Sequence, residues 1–92
     1  IDMRKKSPTY GKSFSQLLSA ENNLQLYIPE NFAHGYYVLS DDALVTYKCS
    51  DIYMPNDECG IIWNDLNLNI DWPCLDPILS DKDKNWPSFK LL

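Results

Sequence analysis

Two runs rich in aromatic and β-branched residues, Gly35-Tyr36-Tyr37-Val38-Leu39 and Ala43-Leu44-Val45-Thr46-Tyr47-Lys48-Cys49, flank the polar tripeptide Ser40-Asp41-Asp42. Such residues suit a pleated, half-buried surface, and the spacer has hairpin length, so the pair steers the chain toward antiparallel β structure. A period of two places Val45, Tyr47 and Cys49 on one face of the second run and Leu44, Thr46 and Lys48 on the other. Tyr47 is therefore expected to face the interior of a sandwich or barrel, where its hydroxyl needs a partner.

The flanking sequence repeats this pattern. Pro8-Thr9-Tyr10-Gly11 is a turn-rich entry, and Ser13 to Leu18 alternates polar and apolar residues as a half-buried strand does. The polar connector Ser19-Ala20-Glu21-Asn22-Asn23 leads into Leu24-Gln25-Leu26-Tyr27-Ile28, with Leu24, Leu26 and Ile28 on one face, and Pro29 then removes a ladder donor. Ile61-Ile62-Trp63 is a further short strand candidate, whereas Asn67, Asn69, Pro73, Asp76 and Pro77 break any long period after Asn64. In the tail, Ser80-Asp81-Lys82-Asp83-Lys84 reads as one capped helical turn, with Ser80 as the cap. Several short strands with turns between them point to an all-β sandwich or jelly roll.

At 92 residues the chain forms one domain at most, spanning 1–92, with a modest core unless something else covers it. It begins Ile1-Asp2-Met3-Arg4, without an initiator methionine, which reads as the end of a strand already under way and so as part of a longer fold. Thirteen acidic and eight basic side chains give a net charge of -5, which repels polyanions and disfavours nucleic acid as a partner. One nucleoside diphosphate needs only a few local cations and stays compatible with that charge. No apolar stretch approaches membrane-spanning length and no signal pattern opens the chain, so a cytoplasmic protein without membrane association is expected. Cys49, Cys59 and Cys74 are odd in number and lack C-x-x-C spacing, which fits reduced thiols.

His34, the only histidine, follows Phe32-Ala33 and precedes Gly35. It either bonds a loop carbonyl at a strand mouth or places a donor near a ligand phosphate or ketone, and alone it cannot build a metal site. Tyr47 and Tyr53 belong to a set of six tyrosines, most of which are packing residues by default. Glu58, Lys82 and Asp83 would ordinarily form a solvated surface.

The ordered set Ser7-Pro8-Thr9-Tyr10-Gly11-Lys12, Leu18-Ser19-Ala20-Glu21-Asn22, Ile28-Pro29, Phe32-Ala33-His34-Gly35, Tyr47-Lys48 and Asp71-Trp72-Pro73 resembles the C-terminal half of the dTDP-4-dehydrorhamnose 3,5-epimerases. The likeness runs from Asp2 to Asp83, with Asn31 for a usual glycine, Tyr27 for a common tryptophan and Ile52 where a tyrosine often precedes Tyr53. It implies a cupin-like jelly roll, in part, and cofactor-independent epimerisation at C3 and C5 of a thymidine-diphosphate-linked 4-keto-6-deoxy sugar, in a full-length homodimer. No metal is implied.

By the same resemblance Tyr47 is the proton donor and Asp83 the carboxylate that orients the general base. His34, Tyr53, Glu58 and Lys82 are substrate-binding residues, with Tyr53 stacked on the thymine ring. The family's base is a histidine in an upstream Arg-Gly-x-His-type motif, and its enolate-facing lysine is also upstream. The 92 residues alone are thus expected to be inactive and poorly soluble. Two alternatives share these residues: a sister epimerase acting at C3 only, and a non-catalytic cupin-like module that binds nucleotide sugars.

Overall fold

A carboxylate without water must be met by donors, and Asp2, 2% exposed, gathers five of them. Its Oδ1 accepts from the Arg4 backbone N–H at 3.0 Å and from Arg4 Nε at 2.9 Å. Its Oδ2 accepts from Arg4 Nη2 at 3.0 Å and from the Ser7 and Thr9 hydroxyls, each at 2.6 Å. This wraps residues 4–9 around one side chain, and the backbone closes the loop: Asp2 N–H donates to Lys12 O at 3.1 Å and Gly11 N–H to Asp2 O at 2.8 Å. The Pro8–Gly11 turn forms where its residue types place it, and Gly11 takes the left-handed φ of +78° that the reversal requires.

The opposite edge of residues 1–3 pairs with residues 31–33. Ala33 N–H donates to Ile1 O at 2.9 Å, Met3 N–H to Asn31 O at 3.0 Å, and Asp2 and Phe32 form an isolated antiparallel bridge. The Arg4 guanidinium carbon lies 4.9 Å from the centre of the Phe32 ring, within cation–π range.

In the computed structural model, which describes residues 1–52 and 54–91, a second carboxylate organises the C-terminal third. Asp65 is 5% exposed; its Oδ1 accepts from the N–H groups of Asn67 at 2.8 Å and Leu68 at 3.0 Å. This is the local side-chain turn that Asp favours. Its Oδ2 accepts from Phe89 N–H at 2.7 Å, drawing in the 3₁₀ turn Phe89–Leu91. The Phe89 ring packs against Tyr10, centroids 5.2 Å apart, so this residue joins the two carboxylate knots. Leu68 is the buried hydrophobic residue at the second knot.

Between the knots, Ser13–Leu18, Leu24–Ile28, Gly35–Leu39 and Ala43–Cys49 carry no regular element, nor does Ile61–Trp63. The strands anticipated there are not formed, because a strand exists only through a neighbour's ladder and these segments meet none among the described residues. Their two-fold pattern nevertheless survives in part, since Ile28 is 36% exposed and the adjacent Tyr27 86%. The chain exposes 8520 Å², against about 5,500 Å² expected of a compact monomer of 10.7 kDa. Exposed apolar side chains in these segments, such as Phe14, Leu39 and Leu44, and others beyond them, such as Leu66, Leu75 and Ile78, contribute to the excess.

The Ser19–Asn23 connector forms a turn in which Ser19 Oγ accepts from Asn22 N–H and Asn22 Oδ1 from Ser19 N–H, each at 3.1 Å. In the tail, helix α1 spans Asp81–Lys84, and Ser80 Oγ caps it by accepting from Asp83 N–H at 3.1 Å. No described helix is long and apolar enough to cross a membrane.

Arg4 above all, with the Ser7 and Thr9 hydroxyls, holds the Asp2 carboxyl far below the usual carboxylate range. A depressed folded-state value means that its stabilisation is full above the unfolded value, about 3.9, and disappears as pH falls through the folded value. In the intact protein, the melting temperatures of wild type and Asp2→Asn should therefore differ most near neutral pH and converge as the pH is taken below about 4. Thermal melts across that range check this, and a constant gap would contradict it.

Candidate active site

His34 follows directly on Ala33, whose N–H and C=O are both engaged by Ile1, so its backbone is anchored while its ring is exposed. The chain then passes over an indole: a Cβ built on Gly35 would lie 3.8 Å from Trp72 Cη2. Trp72 is itself fixed by its Nε1–H, which donates to Trp63 O at 2.7 Å. An open cleft of about 660 Å³ beside these tryptophans is lined by Asn64, Asn69, Asp71 and Cys74 among others. None of His34, Tyr47, Glu58, Lys82 or Asp83 lines it. A hydrogen bond with the neighbouring Cys74 side chain, and after it the electrostatic interaction with the same group, pushes the Tyr37 phenol up from its ordinary range.

Glu58, Lys82 and Asp83 come together at α1. The 3₁₀ turn Pro55–Asp57 ends at Glu58, whose Oε2 forms an ion pair with Lys82 Nζ. Both side chains are partly exposed, and such pairs contribute roughly 0–1 kcal/mol, too little to seat α1 alone. Trp86 supplies the packing, its ring lying so close over Gly60 that a Cβ there would fall 2.6 Å from Trp86 Cε2. The same indole donates through Nε1 to Asp83 Oδ1 at 3.2 Å. The carboxylate expected to orient a base is thus itself held in place by a residue that sequence reasoning passed over. A glycine directly before Ile61-Ile62-Trp63 was the available signal.

Tyr47 is 80% exposed and has no hydrogen bond to His34 or Asp83. It does not point inward here: residues 43–49 meet no ladder neighbour among the described residues, and without a second layer no face is an interior. Tyr53 lies outside the described residues. No group of three or more His, Cys, Asp or Glu side chains among the described residues could hold a metal ion.

The sequence was compared with known proteins. Residues 1–90 match the family model described as dTDP-4-dehydrorhamnose 3,5-epimerase. The chain belongs to this family. Relatives carrying the same name include proteins from Shigella flexneri, 53% identical over 97% of this chain and 49% of the relative, and Methanothermobacter thermautotrophicus, 47% identical over 94% and 48%. A third, from Pseudomonas aeruginosa, is 48% identical over 97% of the chain and 50% of the relative. The chain spans about half the length of these epimerases. No solved structure gives a significant match.

Packing at Gly60 yields a direct test within this epimerase-family segment. Gly60→Ala in the intact protein should cost about 1–3 kcal/mol by forcing Trp86 aside. The loss should largely vanish in a Trp86→Ala background. Denaturant melts of the four proteins check this, and an equal loss in both backgrounds would contradict the contact.

Proposed function

We propose that this chain supplies the proton-donating and nucleotide-binding part of an active site that epimerises a thymidine-diphosphate-linked 4-keto-6-deoxy sugar at C3 and C5. The match over residues 1–90 carries this reading, supported by relatives that bear the epimerase name. The architecture proposed is a cupin-like jelly roll to which the unpaired segments between residues 13 and 52 contribute strands. The intact protein is proposed to be a cytoplasmic homodimer, and the exposed apolar side chains, such as Phe14, Leu39 and Leu44, offer area for such packing.

The reaction needs no cofactor because the C4 ketone makes the hydrogens on C3 and C5 acidic. A base removes one, charge develops on the ketone oxygen as the enolate forms, and an acid returns a proton to the opposite face. Tyr47 is the proposed acid: a phenol with an ordinary value of about 10 is protonated at neutral pH. A strand laid beside residues 43–49 would turn it inward. Asp83 is proposed to orient the base, and the single histidine of the chain, His34, is assigned to the ligand instead. Tyr53 would stack on thymine, an interaction worth about 1–3 kcal/mol. Lys82, tethered to Glu58 beside Asp83, brings a cation to the phosphate side.

The test is turnover of the 4-keto sugar nucleotide by the intact protein in deuterated water. Label at both C3 and C5 is expected, and Tyr47→Phe should lower kcat by about 10²- to 10⁴-fold. Label at C3 alone would replace the reading with a C3-specific epimerase. Thymidine diphosphate binding without any label would replace it with a binding module, and undiminished turnover by Tyr47→Phe would remove the tyrosine from the mechanism.

A further inference from the structure

The most buried side chain cited above is a carboxylate that can itself contact no ligand. Asp2 receives five hydrogen bonds, and a carboxylate offers about four lone-pair sites, so its acceptor capacity is filled. Any contribution to binding must pass through what it holds. Two routes lead from it to the same place. One is the backbone: Ile1 and Met3, on either side of Asp2, pair with Ala33 and Asn31. The other is Arg4, locked on both carboxylate oxygens and placed with its guanidinium over Phe32. Asn31 enters this segment with a left-handed φ of 66°, so the direction in which the chain leaves toward His34 is set by a turn that these contacts fasten.

We infer that Asp2 is a positioning residue for His34, fixing where the exposed imidazole meets the ligand by clamping residues 31–33 from both the backbone and the Arg4 side. The inference rests on the assignment of His34 to ligand binding. It extends that assignment by tying the ligand contact to the turn at residues 4–12, remote from it in sequence.

Asp2→Asn keeps the size of the side chain but turns an NH₂ group toward donors that need an acceptor, which loosens Arg4. In the intact protein, the Michaelis constant for the sugar nucleotide and the calorimetric Kd for thymidine diphosphate are measured in wild type, Asp2→Asn, His34→Asn and the double variant. Losing a hydrogen bond to a charged ligand predicts that His34→Asn weakens binding about tenfold. Asp2→Asn should weaken it severalfold with kcat nearly unchanged, and the double variant should bind no worse than His34→Asn alone. Effects that multiply would overturn the inference, showing that Asp2 serves only the fold. Unchanged binding in His34→Asn would instead overturn the assignment of His34 itself. If Asp2→Asn does not fold, Thr9→Val removes a single donor at the exposed edge of the clamp and enters the same cycle. A smaller loss of the same sign, absent in the His34→Asn background, is then expected, and a loss that persists there would count against the inference.

Discussion

Burying an ionised carboxylate is tolerable only when its lone pairs are filled, and at Asp2 that requirement dictates the course of a dozen residues. Arg4 must fold back, Ser7 and Thr9 must turn their hydroxyls inward, and the backbone must reverse at Gly11. Once these conditions are met, residues 1–3 present a fixed edge, and the only β-bridge among the described residues forms on it. Ala33, directly before His34, is held on that edge through both its N–H and its C=O.

Asp65 solves the same problem with different donors. Three backbone N–H groups, that of Phe89 foremost, hold its carboxyl below its ordinary range. Because Phe89 also touches Tyr10, the two polar knots share one aromatic hinge, and α1 with Lys82 and Asp83 lies shortly before it in the chain. His34 thus directly follows a segment fastened around Asp2, and Lys82 lies in the chain shortly before Phe89, which Asp65 holds, while apolar side chains such as Phe14, Leu39 and Leu44 between them are exposed. A structure held by polar knots can be locally specific without having much hydrophobic core.

Local chemistry was legible in the sequence, and long-range pairing was not. The turn at Pro8–Gly11, the Ser19–Asn23 connector and the Ser80 cap follow from side chains that bond their own backbone within a few residues. The alternation at Leu24, Leu26 and Ile28 specifies a face, but a face becomes a strand only against a neighbour. Tyr47 illustrates the limit: the alternation proposes a face for it, but its burial depends on what lies across a sheet. Asp2, Gly60 and Trp86 went unread for the opposite reason. Nothing in one residue type announces that a distant loop or ring will close on it, although an aspartate two places before an arginine, with Ser7 and Thr9 close behind, contains the whole clamp in eight residues.

The family resemblance bears on that gap by proposing which side chains come together. The central claim is that Tyr47, His34 and Tyr53 converge on one nucleotide sugar once residues 13–52 are paired into a sheet. A crystal structure of the intact protein with thymidine diphosphate bound tests this most directly. The account predicts Tyr53 against the thymine, His34 at the diphosphate or sugar side, and the Tyr47 hydroxyl facing the space the sugar would fill, with the Asp2 clamp intact. A Tyr47 hydroxyl still turned to bulk water, away from a nucleotide seated elsewhere, would contradict it.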